Sequence, residues 1–500
     1  MTSMPQNSER LIATVEGEHT VYTTDSSRNG SDPLWCSSST CLVRVGDDLF
    51  ATAQETLPEA CAPNDTRWAL YHFRNGQWQR VLADAEGRTI EPCPLAVLSD
   101  GRLFISGNPS VPDANNGARP EIVEVDASAP TRIIRRHRPA WAGSPSFNQH
   151  SYRAFAADGM RRELVLFQNV GCTHAEWALM DCEGQWLTGR LVWPLYEDPS
   201  FEPYGATLAR VNYMLVALRG REVHVCGVSA HNKWRCVRDR PELMGRCWGN
   251  RFRRLYYAWT PNIVDCPFSQ WRVVDHTEDD GGWLFPGDLH LDDSGAVHLL
   301  YQTAPISRTL RDLHFPDIAR KHSLRYARLE QGNFLEHRVL TEGGDGGDAA
   351  VPFDLSQEEL VFRWAEEPIL TSRWATPRFH ESLDGRLFAF YYVSGQDKRG
   401  RPVSENWLLQ VSPAGGPDAC TAVPLRSPLT QFFSATPRAG CVPAEYLDLL
   451  GYRKGGFGLF SGQPTTVSHA RLRVDAAPDG SGQALNAQPS HLADARTPSG

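Results

Sequence analysis

Four residues in the first half of the chain have the types that could carry out acid-base chemistry on an acidic sugar. His150 ends the run SFNQH, His174 lies in GCTHAEW, and Tyr204 and Arg219 lie in EPYGATLARVNYMLVALRG. β-Elimination on a uronate needs a cation or strong donors for the C5 carboxylate, a base for the C5 proton and an acid for the departing oxygen. Imidazole, phenol and guanidinium groups are suited to these tasks. The four residues therefore predict a site that acts on an acidic carbohydrate.

A repeated strand-turn-strand pattern must position these residues. Seven hairpins of the type LAVLSDGRLFISGN (from residue 95) and FHESLDGRLFAFYYVSG (from residue 379) recur along the chain. Each is followed by a second hairpin, such as WALYHFRNGQWQRVLA from residue 68, and only the seventh second hairpin lacks its last strand. Alternating apolar residues, turn residues and a repeat of roughly 50 to 70 residues predict radially arranged four-stranded blades.

The sequence therefore predicts an all-β fold, a seven-bladed β-propeller of four-stranded antiparallel blades. We expect one domain over residues 1–475, in which the N-terminal run RLIATVEGEHTVYTT supplies the missing strand of the seventh blade and closes the ring. The polar, Pro- and Gly-rich segment 476–500 is expected to be a disordered tail. Insertions at about 230–252 and 305–321 are candidate loops over the ligand-binding face.

Composition limits the classes of partner. The net charge of −9, with both signs interspersed, argues against a nucleic-acid partner. No apolar run reaches membrane-spanning length, and the first residues, MTSMPQNSER, lack the features of a secretory signal. We expect a cytoplasmic location for the chain as written, or a secreted or periplasmic one if its start is a mature or truncated N-terminus. The 12 cysteines are too sparse for a disulfide framework, and a monomer with reduced thiols is expected.

Several of these motifs resemble a known family. The YG pattern with its downstream Arg-Gly at 204–220, the two histidines before it and the blade FPGDLHLDDSGAVHLLYQ...HSLRYARLEQG resemble BNR-repeat propellers. Among these they are similar to the ulvan lyases of polysaccharide lyase families 24 and 25, most specifically over about 145–330. The resemblance implies β-elimination in a polysaccharide or oligosaccharide of uronate and rhamnose, with no cofactor for catalysis.

The resemblance also implies individual roles. His150 and Tyr204 become the acid and the base, in an order that stays open, while Arg219 and His174 meet the carboxylate. A further aromatic donor is expected at Tyr256 or Tyr257. The substrate-binding candidates are Asn148, Tyr257 and His322. Four cations near His322 could bind sulfate or carboxylate groups at outer subsites, although solvated loop charges are the favoured interpretation of them: Arg308, Arg311, Arg320 and Lys321.

A second group of residues predicts a metal site. His224 and Cys226 share a strand face because they are two residues apart, and Cys236 and Cys247 follow at distances that a turn could span. Nitrogen and sulfur ligands in a closed tetrahedron are typical of structural Zn²⁺. The resemblance favours such a zinc, with His231 and Cys266 as alternative ligands, while a set of buried thiols is the competing interpretation.

Two other functions remain open at this point. A glycoside hydrolase, for instance one with rhamnosidase-like activity, could use the same scaffold, although no convincing pair of Asp or Glu residues is found on facing inner strands. A non-catalytic propeller that binds glycans or proteins is the third hypothesis, because propellers host many functions.

Overall fold

The computed structural model describes residues 11–35, 39–111, 117–148, 152–196, 207–229, 252–279, 282–304, 315–318, 321–344, 376–396, 402–411, 419–453 and 464–476. In these ranges every regular element is a β-strand. The strands form seven four-stranded antiparallel sheets and two short ribbons. This confirms the predicted seven-bladed propeller. No helix in the described ranges has the length and apolarity that a membrane span requires.

The blades follow one another in chain order, and the first strand of each blade is the innermost. The strands of the first four blades are as follows: blade 1, β2 Leu42–Val45, β3 Asp48–Thr56, β4 Thr66–Arg74, β5 Gln77–Ala83; blade 2, β6 Leu95–Val97, β7 Arg102–Gly107, β9 Glu121–Asp126, β10 Ile133–His137; blade 3, β12 Arg153–Asp158, β13 Glu163–Val170, β14 His174–Met180, β15 Trp186–Val192; blade 4, β18 Val211–Arg219, β19 Glu222–Ser229, β20 Arg254–Thr260, β21 Arg272–His276.

The remaining blades repeat this order. Their strands are the following: blade 5, β22 Trp283–Leu291, β23 Ala296–Ala304, β24 Lys321–Glu330, β25 Asn333–Gly344; blade 6, β26 Arg378–Glu381, β27 Leu387–Gln396, β28 Pro402–Val411, β29 Cys420–Val423; blade 7, β30 Gln431–Ser434, β31 Tyr446–Tyr452, β32 Thr465–Ala476, β1 Leu11–Thr24. Two ribbons lie in the connections: β8 Gly117–Ala118 pairs with β11 Phe147–Asn148, and β16 Leu195–Tyr196 pairs with β17 Thr207–Leu208.

The ring closes through its N-terminal strand, as the sequence predicts. β1 pairs antiparallel with β32, from Leu11 opposite Ala476 to Thr24 opposite Thr465. The first described strand thereby becomes the outer strand of the last blade. The predicted tail from 477 onward lies outside the described residues.

Both faces of each blade are buried, because neighbouring blades pack face to face. The second strands show this as nearly continuous buried runs, such as Glu163–Val170 in β13. Between blades 3 and 4, Phe167 and Trp177 pack with Val211 and Val225. Between blades 4 and 5, Tyr257 packs with Tyr301 and Leu289. Apolar cores between successive blades therefore stabilise the ring.

Protein segments cross the centre of the ring. Phe155 N of blade 3 donates to Ser39 Oγ at 2.8 Å, and Thr40 Oγ1 donates to Ser434 O of blade 7 at 2.7 Å. The connection from β30 to β31 crosses as well: Val97 N donates to Ala439 O, and Ala157 N to Arg438 O, each at 2.8 Å. Three of these four contacts join segments of blades that are not neighbours in the ring, so the centre is packed. A ligand site is therefore expected at an end of the propeller.

The two ends of the propeller differ. We call the end where each first strand begins the upper end; it carries the connections between blades and those from second to third strands. The lower end carries the turns from first to second strands, for example the two residues Gly220 and Arg221 between β18 and β19. Both ribbons and the long connections lie at the upper end. The loops predicted at about 230–252 and 305–321 are upper-end connections that fall mostly outside the described residues.

Candidate functional site

His174 lies at the upper end, as the first residue of β14, the third strand of blade 3. Its Nδ1 is 2.7 Å from Thr173 Oγ1, and its Nε2 is 3.0 Å from Glu176 Oε1. The histidine side chain is 13% exposed and the glutamate 1% exposed. Contacts at both ring nitrogens therefore fix the orientation of the imidazole, while part of the ring reaches the surface. Such a histidine is suited to donate a proton or to contact an anionic group.

A row of polar residues crosses blade 3 just below this histidine. Arg153, Gln168, Glu176 and Arg190 lie directly opposite one another on the four strands. Arg190 Nη2 donates to Glu176 Oε1 at 2.8 Å, and Arg153 Nη2 donates to Pro92 O at 2.7 Å. Each charge of this row that faces the interior thus has a partner. The row anchors the upper part of blade 3 against blade 2.

Asn148 is tied to the same row. Gln168 Nε2 donates to Asn108 Oδ1 at 2.9 Å, and Asn108 Nδ2 donates to Asn148 O at 3.0 Å. Asn148 itself is exposed. The structure thus places this predicted substrate-binding residue on the upper surface, beside blade 3.

His150 and Tyr204, the predicted acid and base, lie outside the described residues. The nearest described residues in sequence are Asn148 and Tyr152 for His150, and Tyr196 and Thr207 for Tyr204. All four belong to upper-end connections. The catalytic roles of His150 and Tyr204 stay predictions.

Arg219 is not brought to this end. It is the last residue of β18 and lies at the lower end, where its Nη1 donates to Asp292 O at 2.6 Å and its Nη2 is 3.3 Å from Glu222 Oε2. At about 3.3 Å per residue, a nine-residue strand holds its two ends roughly 25 Å apart. The prediction that Arg219 shares a site with His174 is therefore corrected: strand direction puts the two residues at opposite ends of the ring.

Another arginine lies at the upper end of the same strand. Arg210 immediately precedes β18, and its Cζ lies 5.2 Å from the ring centroid of Tyr152 in a cation–π contact. It is half-buried, and its Nε is buried without a hydrogen-bond partner. Within the described ranges no carboxylate lies within ion-pair distance of Arg210. The sequence analysis did not identify Arg210 as a site residue, although its position just before the first strand of a blade could have indicated it.

The ring of Tyr152, which Arg210 contacts, belongs to a group of packed aromatic residues. Tyr213 lies 4.7 Å from Tyr152, 4.7 Å from Phe285 and 5.7 Å from Phe252, measured between ring centroids. The two tyrosine hydroxyls are 3.4 Å apart. Blades 3, 4 and 5 each contribute to this group, which we call the aromatic cluster (Tyr152, Tyr213, Phe252 and Phe285). Together with Arg210 it forms a cationic and aromatic patch of the kind that carbohydrate carboxylates and ring faces can contact.

Two predicted substrate contacts are buried. Tyr257 is fully buried between blades 4 and 5, where its hydroxyl lies 2.7 Å from His224 Nδ1 and burial raises its pKa. The alternative Tyr256 is 2% exposed. His322, near the upper end of β24, is 1% exposed. In this structure these side chains offer no surface to a substrate, which corrects their predicted role.

Two of the four predicted zinc ligands lie in the described residues, and they share a face of one strand. His224 and Cys226 both point between blades 4 and 5, as their spacing predicts. However, His224 Nδ1 is engaged with Tyr257, and its Nε2 lies 3.2 Å from Glu222 Oε1, a contact that lowers the pKa of that carboxyl. Burial raises the pKa of the Cys226 thiol.

Most of the other proposed ligands cannot be placed, so the zinc site stays a prediction. Cys236 and Cys247, like the alternative His231, lie outside the described residues. The alternative Cys266 lies in the lower-end connection after β20, with its backbone bonded to Asn262 O and Thr260 Oγ1. Among the residues that the structure describes, no group of three or more His, Cys, Asp or Glu could hold a metal ion.

Comparisons with known proteins bear on the fold. No family model matches the chain, and no curated protein matches it in sequence. The polysaccharide lyase Uly1 has a similar structure, with a TM-score of 0.52 at 10% identity over 92% of this chain and 99% of that one. Less similar are the α-L-arabinofuranosidase Arb93A of Fusarium graminearum (TM-score 0.41, 10% identity, 91% and 98% coverage) and the α-L-arabinanase of Penicillium chrysogenum (TM-score 0.40, 10% identity, 92% and 98% coverage). The first likeness shows a shared propeller fold.

Proposed function

We propose that this protein is a polysaccharide lyase that cleaves a uronate-containing polysaccharide by β-elimination at the upper end of blades 3 and 4. The observation that carries the proposal is Arg210, a half-buried cation with no carboxylate partner among the described residues, at the same end as His174. The likeness in fold to the polysaccharide lyase Uly1 supports the same class of reaction.

The contrast with other arginines explains why Arg210 is singled out. Arg190 is paired with Glu176 at 2.8 Å, Arg219 with Glu222 at 3.3 Å and Arg221 with Glu163 at 3.1 Å. Such pairs stabilise contacts within and between blades. An arginine that has no carboxylate partner in the described part of the chain, and that lies on an aromatic ring, is suited to bind the carboxylate of a ligand.

The reaction uses charge stabilisation and two proton transfers. A base removes the C5 proton, and the electron pair left at C5 delocalises into the carboxylate as an enolate. That pair then forms the C4=C5 double bond while the C4–O bond breaks, and an acid protonates the departing oxygen. Arg210 and His174 stabilise the developing charge on the carboxylate, and His150 and Tyr204 serve as acid and base, in an order that the kinetics must decide.

The test is the ultraviolet absorbance of the unsaturated uronate during incubation with a panel of uronate polysaccharides that includes ulvan. We expect a rise with wild-type protein and a loss of about 10²- to 10³-fold in kcat/KM for Arg210→Ala, the size seen when one preorganised donor to a developing anion is removed. Arg210→Lys should recover part of the loss, because it keeps the charge but not the bidentate geometry.

Arg219→Ala is the matched control, since it removes an arginine from the lower end of the same strand. It should leave kcat/KM within about twofold of wild type, as expected for a residue outside the site. If Arg219→Ala abolished turnover and Arg210→Ala did not, the assignment of the site to the upper end would be wrong. New reducing ends without the absorbance of a double bond would indicate a hydrolase instead.

A further inference from the structure

Tyr213 has an unusual backbone conformation for its position. Its φ is +50°, in the left-handed region that non-glycine residues rarely adopt. Among the described residues, the other non-glycine positions with positive φ lie in turns and loops: Asn75, Ser144, Arg162, Arg221 and Gln331. Tyr213 instead lies within β18, the innermost strand of blade 4. A strained residue that persists inside a strand indicates a constraint beyond packing.

A β-bulge produces this conformation. Asn212 pairs with Val228 and Leu215 pairs with Cys226, so Tyr213 and Met214 together oppose the single residue Gly227. A Cβ on that glycine would lie 2.5 Å from Val211 Cγ1 and 2.9 Å from Asn212 O. The bulge therefore depends on a residue without a side chain on the partner strand. Bulges of this kind re-aim a side chain, often next to an active site.

The re-aimed side chain is the accessible member of the aromatic cluster. Tyr152, Phe252 and Phe285 are each 6% exposed, whereas Tyr213 is half-buried. Its ring is tilted against all three neighbours, at 52° to 78° between planes. The cluster thus holds the ring of Tyr213 firmly while part of it faces the surface. Arg210, stacked on Tyr152, lies beside it.

We propose that Tyr213 is a specificity-determining contact that receives the sugar ring adjacent to the uronate held by Arg210. The inference rests on the proposed function. The polarised C–H groups on one face of a pyranose are attracted to the electron-rich face of an aromatic ring, and the contact also removes apolar surface from water. A sugar whose ring face is free of axial hydroxyls would stack best. The strain at Tyr213 fixes the orientation that such stacking requires.

The test compares Tyr213→Phe with Tyr213→Asn in the lyase assay. Phenylalanine keeps the ring, so KM and kcat should stay within about twofold of wild type; asparagine removes the ring and tolerates the left-handed conformation. Tyr213→Asn should raise KM about tenfold with kcat changed less than about threefold. A purely structural tyrosine would instead lower thermal stability in Tyr213→Asn and leave KM unchanged, which would overturn the proposal.

A second measurement separates this proposal from the proposed function and does not depend on a stable variant. Saturation-transfer difference NMR with wild-type protein and a purified uronate oligosaccharide should show transfer from aromatic protons to ring protons of the sugar next to the uronate. Turnover with no such transfer, and an unchanged KM in Tyr213→Asn, would overturn the role of Tyr213 but leave the lyase standing. Binding with such transfer but no elimination would overturn the lyase and support the contact. Neither binding nor turnover would overturn both.

Discussion

The ion pair between Asp288 and Arg438 allows a quantitative prediction about the centre of the ring. Asp288 lies within β22, the innermost strand of blade 5, and Arg438 lies in the β30–β31 connection that crosses the ring centre. Asp288 Oδ1 accepts hydrogen bonds from Arg438 Nη2 at 2.6 Å and Nε at 3.0 Å, and Oδ2 accepts one from Phe379 N at 2.9 Å. The two side chains are 1% and 5% exposed. The pair therefore connects blades 5, 6 and 7 in a region without solvent.

Asp288→Ala removes the carboxylate and leaves the guanidinium buried. Breaking a buried pair by removing one partner costs about 3–5 kcal/mol, because the remaining charge has lost both its hydration and its counter-charge. The buried N–H of Phe379 also loses its acceptor, which costs a further ~1 kcal/mol or more. We expect the free energy of unfolding to fall by about 4–6 kcal/mol in total, as the sum of these contributions.

Urea denaturation followed by tryptophan fluorescence measures this loss through the midpoint and the slope of the transition. The double variant Asp288→Ala/Arg438→Met removes both charges and should recover ~1 kcal/mol or more relative to the single variant. The control is Asp384→Ala, which breaks a 2.7 Å pair with Arg386 at the surface and should cost at most about 1 kcal/mol. A loss below about 1 kcal/mol for Asp288→Ala would refute the argument that this pair is desolvated and stabilises the ring centre.

Two further predictions concern protons and metal. Burial lowers the pKa of three neutral histidines, to about 4 for His290 and to about 3 for His380 and His469. In the unfolded chain these histidines are protonated near pH 6.5. The free energy of unfolding should therefore be constant above that pH and fall as the pH is lowered from about 6.5 to 4, by up to about 1.4 kcal/mol per pH unit for each histidine. A urea midpoint that stays constant across this range would contradict the burial of these rings in neutral form. Because both ring nitrogens of His224 contact Tyr257 and Glu222, a strong chelator should leave the thermal denaturation temperature unchanged, and a drop of several degrees would support the zinc hypothesis.

The architecture could be predicted because it depends on local patterns that recur. Turn residues between two strands of alternating apolar and polar residues, as in the run that spans β6 and β7, specify a hairpin whatever the rest of the chain does. Seven such repeats, with one strand missing from the last and one spare strand at the N-terminus, leave few alternatives to a closed ring. The pairing of β1 with β32 confirms that reasoning.

The candidate site was predicted only in part. The position of His174 at the upper end follows from the place of its strand in the blade, and the sequence pattern contains that information. Tyr257 shows where the pattern is insufficient. Alternation places it on one face of β20, but both faces of a propeller blade are packed, so alternation does not distinguish a core tyrosine from one that meets a ligand.

The sequence by itself determined the strand order, the blade number and the closure of the ring, because hydrophobic period and turn chemistry are local properties. The tertiary structure decided which charges are available. Arg210 immediately precedes β18 and Arg219 ends it, so the strand's direction puts them at opposite ends, and only the folded ring brings Asp292 of blade 5 to Arg219. The orientation of Tyr213 likewise depends on a bulge against Gly227 and on rings from two other blades, contacts between segments far apart in the chain.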